Sequence, residues 1–391
     1  MANLLEKASI VLTPTGYSDS SINNVKPSSA PFGDMTLIQN GTTTRVNASG
    51  LVVDNTTDIP RIDYSKGEGA ILSEAASTNQ IRYSEDFSNV LWQKVGVTLT
   101  SSTGTNPRGE SATIYAIQGQ AVQGGLEGAM ASSSTGNGVG VSVWARKKSG
   151  GGTANVDIGF GNFSNVTTNT VSVGADWQRI IYESTGFTGA DRFYIKPQGI
   201  SNVIEIWGAQ LEKTAASAQD GRVSSYMPTT SGTTTRARDN YRDGGHTTLI
   251  GAQEGVLFIE AAVLADAGSR AIALSASNSA ANRVVIFYSS TSNTIQGRVQ
   301  ASTTTTIPIN GTVTDSTDFN KIAFKYKSGD LALWINGTEV ATSTTSYTFN
   351  ATLSELAFDQ GNGTLHMDGF VKQVVVFEEA LSDAELAALT S

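Results

Sequence analysis

The chain contains no cysteine. That removes disulfide frameworks, thiolate metal sites and cysteine nucleophiles together. Histidine is nearly absent too, with only His246 and His366, so a multi-histidine zinc site is excluded and a Ser-His-Asp triad would have to use one of these two. No apolar run approaches the length of a membrane span. Met1-Ala2-Asn3-Leu4-Leu5-Glu6-Lys7 lacks the basic stretch and apolar core of a secretion signal. The expectation is therefore assembly in the cytoplasm, with release by lysis. Charged residues make up only 16% of the chain and the net charge is −9, which speaks against an electrostatic grip on nucleic acid.

Small and turn-forming residues dominate instead. Serine and threonine recur throughout the 391 residues, with 40 glycines among them. This composition suits many short strands joined by tight turns, in two or three domains. The acidity is uneven, since residues 246–391 carry 7 basic and 14 acidic groups. An excess of that size keeps an exposed domain soluble.

The pattern along the chain divides it into four stretches. Residues 1–80 show turn signals and only brief apolar runs, which predicts an extended arm that attaches and oligomerises the protein and is dispensable for folding the rest. From residue 81 to 230, period-two alternation such as Val139-Gly140-Val141-Ser142-Val143 predicts an antiparallel sandwich. Residues 231–245 are polar and read as a linker. Residues 246–391 form a second sandwich, with strands such as Val284-Val285-Ile286-Phe287-Tyr288 and a hairpin turn at Asn336-Gly337. Ser382-Asp383-Ala384-Glu385 is a capping box that opens a short C-terminal helix over 383–389. The fold class expected is all-β.

Four segments near the C-terminus carry a resemblance. They are Lys321-Ile322-Ala323-Phe324-Lys325-Tyr326, Leu333-Trp334-Ile335-Asn336-Gly337, Met367-Asp368-Gly369-Phe370-Val371 and Ala380-Leu381-Ser382-Asp383-Ala384-Glu385-Leu386. In this order and spacing they resemble the closing part of laminin-G-like, concanavalin A-like lectin domains found in tailed-bacteriophage fibre and tail proteins. Thr44-Arg45-Val46-Asn47, Ile59-Pro60-Arg61-Ile62-Asp63-Tyr64 and Thr78-Asn79-Gln80-Ile81 resemble the N-terminal module of phage head- or tail-fibre proteins. The stretch from Phe87 to Glu212 is similar to a jelly roll of the carbohydrate-binding-module kind. The resemblance implies a virion fibre or spike, expected to be a homotrimer, attached by its arm to a capsid or tail protein and adhering to host-surface glycan. A purely structural head fibre or decoration protein is the alternative, and a polysaccharide depolymerase the third reading.

Catalysis is not expected. Glycosidases on such sandwiches set carboxylates at alternate positions of one strand, and no such row occurs; Asp157, Glu205 and Glu260 stand alone in theirs. P-loop, dinucleotide and nucleophile-elbow motifs are absent from the sequence. Trp144 and Trp334 alternate with apolar neighbours and so point away from one apolar row, which makes them candidates for stacking on sugar rings. Loops 275–281, 288–294 and 359–364 are rich in small polar groups suited to neutral sugars, with Asp359 and Asn362 as the candidate ligands for hydroxyls. Asp359 and Asp368 are candidate oxygen ligands for Ca²⁺, without the spacing of an EF-hand. No other cofactor is implied, and neither nucleic acid nor membrane insertion is expected. Arg45, Arg61 and Asp63 read as partners in interdomain or inter-subunit pairs.

Overall fold

The structure, a computed structural model, describes residues 4–18, 20–27, 33–120, 125–162, 165–200, 202–214, 222–277, 279–302 and 305–391. It is all-β, and among the described residues the helices are Leu4–Lys7 and Asp383–Thr390. The chain forms two compact units, each discontinuous in sequence. A C-terminal unit takes Met1–Gly41, Asn55–Ala75 and Arg238–Ser391, and a middle unit takes Thr42–Asp54 and Ala76–Ala237.

In the C-terminal unit the larger sheet runs, strand beside strand, through Asn240–Arg242, Met35–Ile38, Ser21–Lys26, Ile10–Ser18, Gly369–Phe377, Glu254–Val263, Asn320–Lys327, Leu331–Ile335 and Thr338–Ser343. Its last hairpin turns at Asn336 and Gly337, with φ of 48° and 81°, the left-handed pair that a tight hairpin needs. The second sheet runs Thr306–Thr312, Thr294–Gln300, Arg283–Tyr288, Arg270–Ser275 and Glu355–Ala357. Leu257, Ile259, Ile322 and Phe324 from the first sheet share one buried core with Ile272, Leu274, Val284 and Ile286 from the second. The interlock is close. A Cβ at Gly297 would come within 2.4 Å of the Phe324 ring, so this position is kept bare to seat an aromatic from the opposite sheet.

The first sheet is covered on its other face as well. Leu386 of helix Asp383–Thr390 packs with Val256, Phe258, Trp334, Val375 and Phe377. The capping box forms as expected, Glu385 accepting from the Ser382 backbone N–H at 3.0 Å. A sheet buried on both faces needs apolar residues at consecutive positions. Ile10, Val11 and Leu12 supply them, Ile10 and Leu12 to the inner core and Val11 to the helix side.

Residues 1–80 are thus not an arm in this structure. Ile10–Ser18 pairs antiparallel with Gly369–Phe377, with Ile10 opposite Val376 and Leu12 opposite Val374. Ala70–Ser73 pairs with the other end of the same strand, Ile71 opposite Val371. The linker reading of 231–245 changes likewise, because Asn240–Arg242 pairs with Met35–Ile38 and Thr234–Arg236 pairs with Ser77–Asn79. The interdomain pair expected of Arg61 is instead internal to the C-terminal unit. Its buried guanidinium bonds Glu74 at 2.6 Å and also Asp239, and Asp239 accepts from the Glu74 backbone N–H at 2.8 Å. Three side chains from distant parts of the sequence are so tied in the dry interior, where a lone charge would be costly.

The middle unit is built on two long strands, Leu126–Lys147 and Gln178–Pro197, paired along their length through several register shifts. Valines 139, 141 and 143 face a core with Ile158, Phe160, Phe193 and Ile206, as the alternation predicts. Segments from outside the sandwich are stapled on by buried polar groups. Asn79 is the clearest: its Nδ2 donates to the carbonyls of Ala209 at 3.1 Å and Met227 at 2.9 Å, and its Oδ1 accepts from the backbone N–H of Ile81 and Leu211 at 3.1 Å each. All four hydrogen-bonding positions of the amide are used.

Deleting residues 1–80 should therefore abolish cooperative folding of the C-terminal unit, by stripping Ile10, Leu12, Ile22, Met35, Leu37 and Ile71 from its core. Each such side chain is worth about 1.5–3 kcal/mol of burial, so together they match the ordinary stability of a domain, about 5–15 kcal/mol. A truncated chain that stays soluble and melts in one sharp transition would contradict this architecture.

Candidate functional site

Neither tryptophan offers an open plane. Trp334 does alternate away from the inner core, but the face it reaches lies under the C-terminal helix, and the side chain is buried there. Trp144 likewise leaves the inner core of the middle unit and enters a second cluster, with ring centroids 5.4 Å from Trp207 and 5.1 Å from Tyr226. The Arg179 guanidinium caps it at 4.8 Å. Period-two alternation assigns the face correctly; what covers that face comes from elsewhere in the chain.

The candidate loops divide. Strand Arg283–Tyr288 runs the length of the second sheet, so loops 275–281 and 288–294 leave it at opposite ends. Loop 288–294 is held by Asp266, which accepts from the Asn293 backbone N–H at 2.7 Å. Loop 359–364 instead folds against Arg270–Ser275, and a Cβ on Gly361 would meet the Ser275 Cβ at 2.8 Å. Asp359 is buried and caps its own loop, its Oδ1 accepting from the backbone N–H of Gly361 at 2.6 Å and Asn362 at 3.2 Å. Asn362 accepts from the Thr364 hydroxyl at 2.7 Å and remains partly accessible. Asp368 pairs with Arg238 at 2.7 Å. Asp359 and Asp368 are each thus engaged by protein donors, and among the described residues no group of three or more His, Asp or Glu side chains is placed to hold a metal ion.

Beside loop 359–364 lies the outer face of the second sheet. Ala271, Ala273, Val285 and Phe287 form its small apolar floor, and Arg283, Arg298, Gln296 and Gln300 alternate onto the same side. Arg283 Nη1 donates to the Gln360 carbonyl at 2.8 Å, which ties the loop to the sheet. Sequence reading passes over these arginines because they are 15 positions apart and outside the loops. The signal that finds them is the alternation of both strands combined with the hairpin register between them.

The middle unit holds a separate cleft of about 700 Å³, lined by Tyr83, Glu85, Asp86, Tyr115, Trp207 and Thr229 among others. Burial raises the pKa of Glu85, against the hydrogen bond donated by Tyr226. The Ser88 hydroxyl holds Asp86 below its ordinary value, against its own burial, and Tyr115 donates to the same carboxylate. Both carboxyl groups are anchored by tyrosine hydroxyls. Elsewhere in this unit Glu127 is buried, and desolvation pushes it up to about 7 although Arg192 stands 3.6 Å away.

Residues 259–387 match the family model described as the concanavalin A-like lectin/glucanases superfamily, Laminin_G_3. The C-terminal unit therefore contains a concanavalin A-like domain. No curated protein matches the chain. Among solved structures, the chain is similar to a leech intramolecular trans-sialidase, with 16% identity, 36% of this chain and 23% of that one covered and a TM-score of 0.31; it thus spans less than a quarter of the leech enzyme. It is also similar to the Ruminococcus gnavus IT-sialidase CBM40 bound to α2,3-sialyllactose, with 15% identity, 37% and 85% coverage and a TM-score of 0.32. A third is domain 4 of a GH43 extracellular arabinanase from Geobacillus stearothermophilus in complex with arabinotriose, with 12% identity, 44% and 84% coverage and a TM-score of 0.33.

The raised pKa of Glu127 gives a pH test. The unfolded chain releases this proton near the ordinary carboxyl value of 4.5, whereas the folded chain keeps it to about 7. Between those values the folded state binds more protons, so stability should fall as pH rises through the window and level off above it. Glu127→Gln should remove that decline and be the more stable form at pH 8, by on the order of 3 kcal/mol at most. Urea unfolding at pH 5 and pH 8 measures this, and an equal slope in parent and variant would contradict it.

Proposed function

We propose that this protein is a non-catalytic glycan-binding fibre or spike protein of a tailed-bacteriophage particle, adhering to host-surface saccharide through the concanavalin A-like domain. The observation that carries the reading is the contrast between the two sheets of that domain. One carries the terminal helix on its outer face, whereas the outer face of the other sets the partly accessible Arg298 and Gln296 beside a buried apolar patch, next to the polar loop 359–364. Flat polar faces of this kind exchange water for sugar hydroxyls at small net gain. Binding is then on the order of millimolar per site, roughly −4 kcal/mol, and gains strength from several copies on one particle. A homotrimer supplies those copies. The phage setting rests on the resemblance of residues 44–51, 59–64 and 78–87 to fibre modules.

The test is retention of the full chain on a panel of immobilised glycans, together with a saccharide-release assay on the glycans retained. Retention without release is expected. Release of saccharide would replace this reading with a depolymerase, and no retention on any glycan would favour a purely structural fibre.

A further inference from the structure

The outer face of the second sheet carries a pair of like charges. In the hairpin of Arg283–Tyr288 with Thr294–Gln300, Arg283 stands opposite Gln300 and Arg298 opposite Val285. The two arginines are therefore diagonal neighbours on one face, at a spacing of roughly 7 Å that long side chains bridge easily. Arg283 is only 8% exposed, and Arg298 lies over the Phe287 ring at 4.3 Å.

Their hydrogen bonding is incomplete. Arg283 gives one bond to the Gln360 carbonyl at 2.8 Å and Arg298 one to Gln296 Oε1 at 2.6 Å. The Nε of each is buried and has no hydrogen-bond acceptor among the described residues. A guanidinium has five N–H donors, so most of this capacity is directed at no protein acceptor. Burial makes both cations easier to deprotonate, and Arg298 adds its repulsion at Arg283. Asp359 is the carboxylate that acts on Arg283, and its Oδ1 is engaged by its own loop. Glu355 stands in the same row of the sheet, two strands from Arg283. Half-dry cations that repel each other cost stability, a cost that an anion placed between them would offset.

We infer that this face binds a carboxylate-bearing saccharide, its carboxylate seated between Arg283 and Arg298 and its hydroxyls on Gln296 and Asn362. The inference rests on the glycan-binding reading above and narrows it to acidic sugars, in place of the neutral sugars expected of the loops. A single carboxylate between the two guanidiniums would relieve the repulsion that Arg298 exerts at Arg283. The planar forks match carboxylate geometry, and the Gln296 amide beside them suits uncharged ring hydroxyls.

The same glycan panel tests this when it holds matched pairs, such as 3′-sialyllactose with lactose and glucuronate-terminated with glucose-terminated glycans, plus sulfated members. At least one carboxylated glycan should bind tenfold or more above its neutral partner, and added salt should erode that preference. The double change Arg283→Gln with Arg298→Gln should abolish the preference, while retention of the neutral partners shows that the variant is folded. Arg298→Lys, which keeps the charge and loses the fork, should weaken retention about fivefold or more and decides the matter should the double variant fail to fold. Equal retention of acidic and neutral partners, retention of sulfated glycans alone, or an unchanged preference in the variants overturns this inference and leaves glycan binding standing. Retention of nothing overturns both.

Discussion

The strand Gly369–Phe377 is the constraint on which the C-terminal unit depends. It lies near the middle of the larger sheet, and every backbone group along it must be paired because both of its faces are dry. Glu254–Val263 supplies one side. The other side is completed by two pieces from the start of the chain, Ile10–Ser18 along one half and Ala70–Ser73 along the other. Without them a long apolar strand edge would lie open, a ready template for aggregation. The buried group of Arg61, Glu74 and Asp239 fixes the same closure from the side, since it joins the segment that carries Ala70–Ser73 to the one that carries Asn240–Arg242.

The two sheets differ in their outer faces. On the larger one the terminal helix packs, with Leu386 against Val256, Phe258 and Trp334. The smaller sheet keeps an outer face with a low apolar floor and a rim of polar side chains.

The two sandwiches, the Asn336-Gly337 hairpin and the capped C-terminal helix are legible in the sequence because each is specified by residues close together in it: alternation, a turn pair, a capping box. The role of the first 80 residues is not. Ile10-Val11-Leu12 is a three-residue apolar run whose partner strand lies more than 360 positions away, so local pattern gives it no address, and a doubly buried strand lacks the alternation that would mark it. The tryptophans show the same limit. Alternation indicates the face of Trp144 and Trp334, but the covers, Tyr226 in one case and Leu386 in the other, come from distant segments. The arginine pair is hidden when charge is read by stretch of chain, because only strand register brings residues 283 and 298 onto one surface.

Hydrogen exchange of the backbone amides across the pairing of Ile10–Ser18 with Gly369–Phe377 tests the central claim most directly. Amides that open only with the whole unit exchange together, at its global stability. If the N-terminal strand is a structural part of this unit, the paired amides among Ile10, Val11 and Leu12 will exchange as slowly as those of Val374, Val375 and Val376, and both sets will lose protection in the same denaturant range. Rapid exchange across 10–12 while 374–376 remain protected would mean that the sheet stands without its first strand, and would contradict the closure of Gly369–Phe377 by the start of the chain.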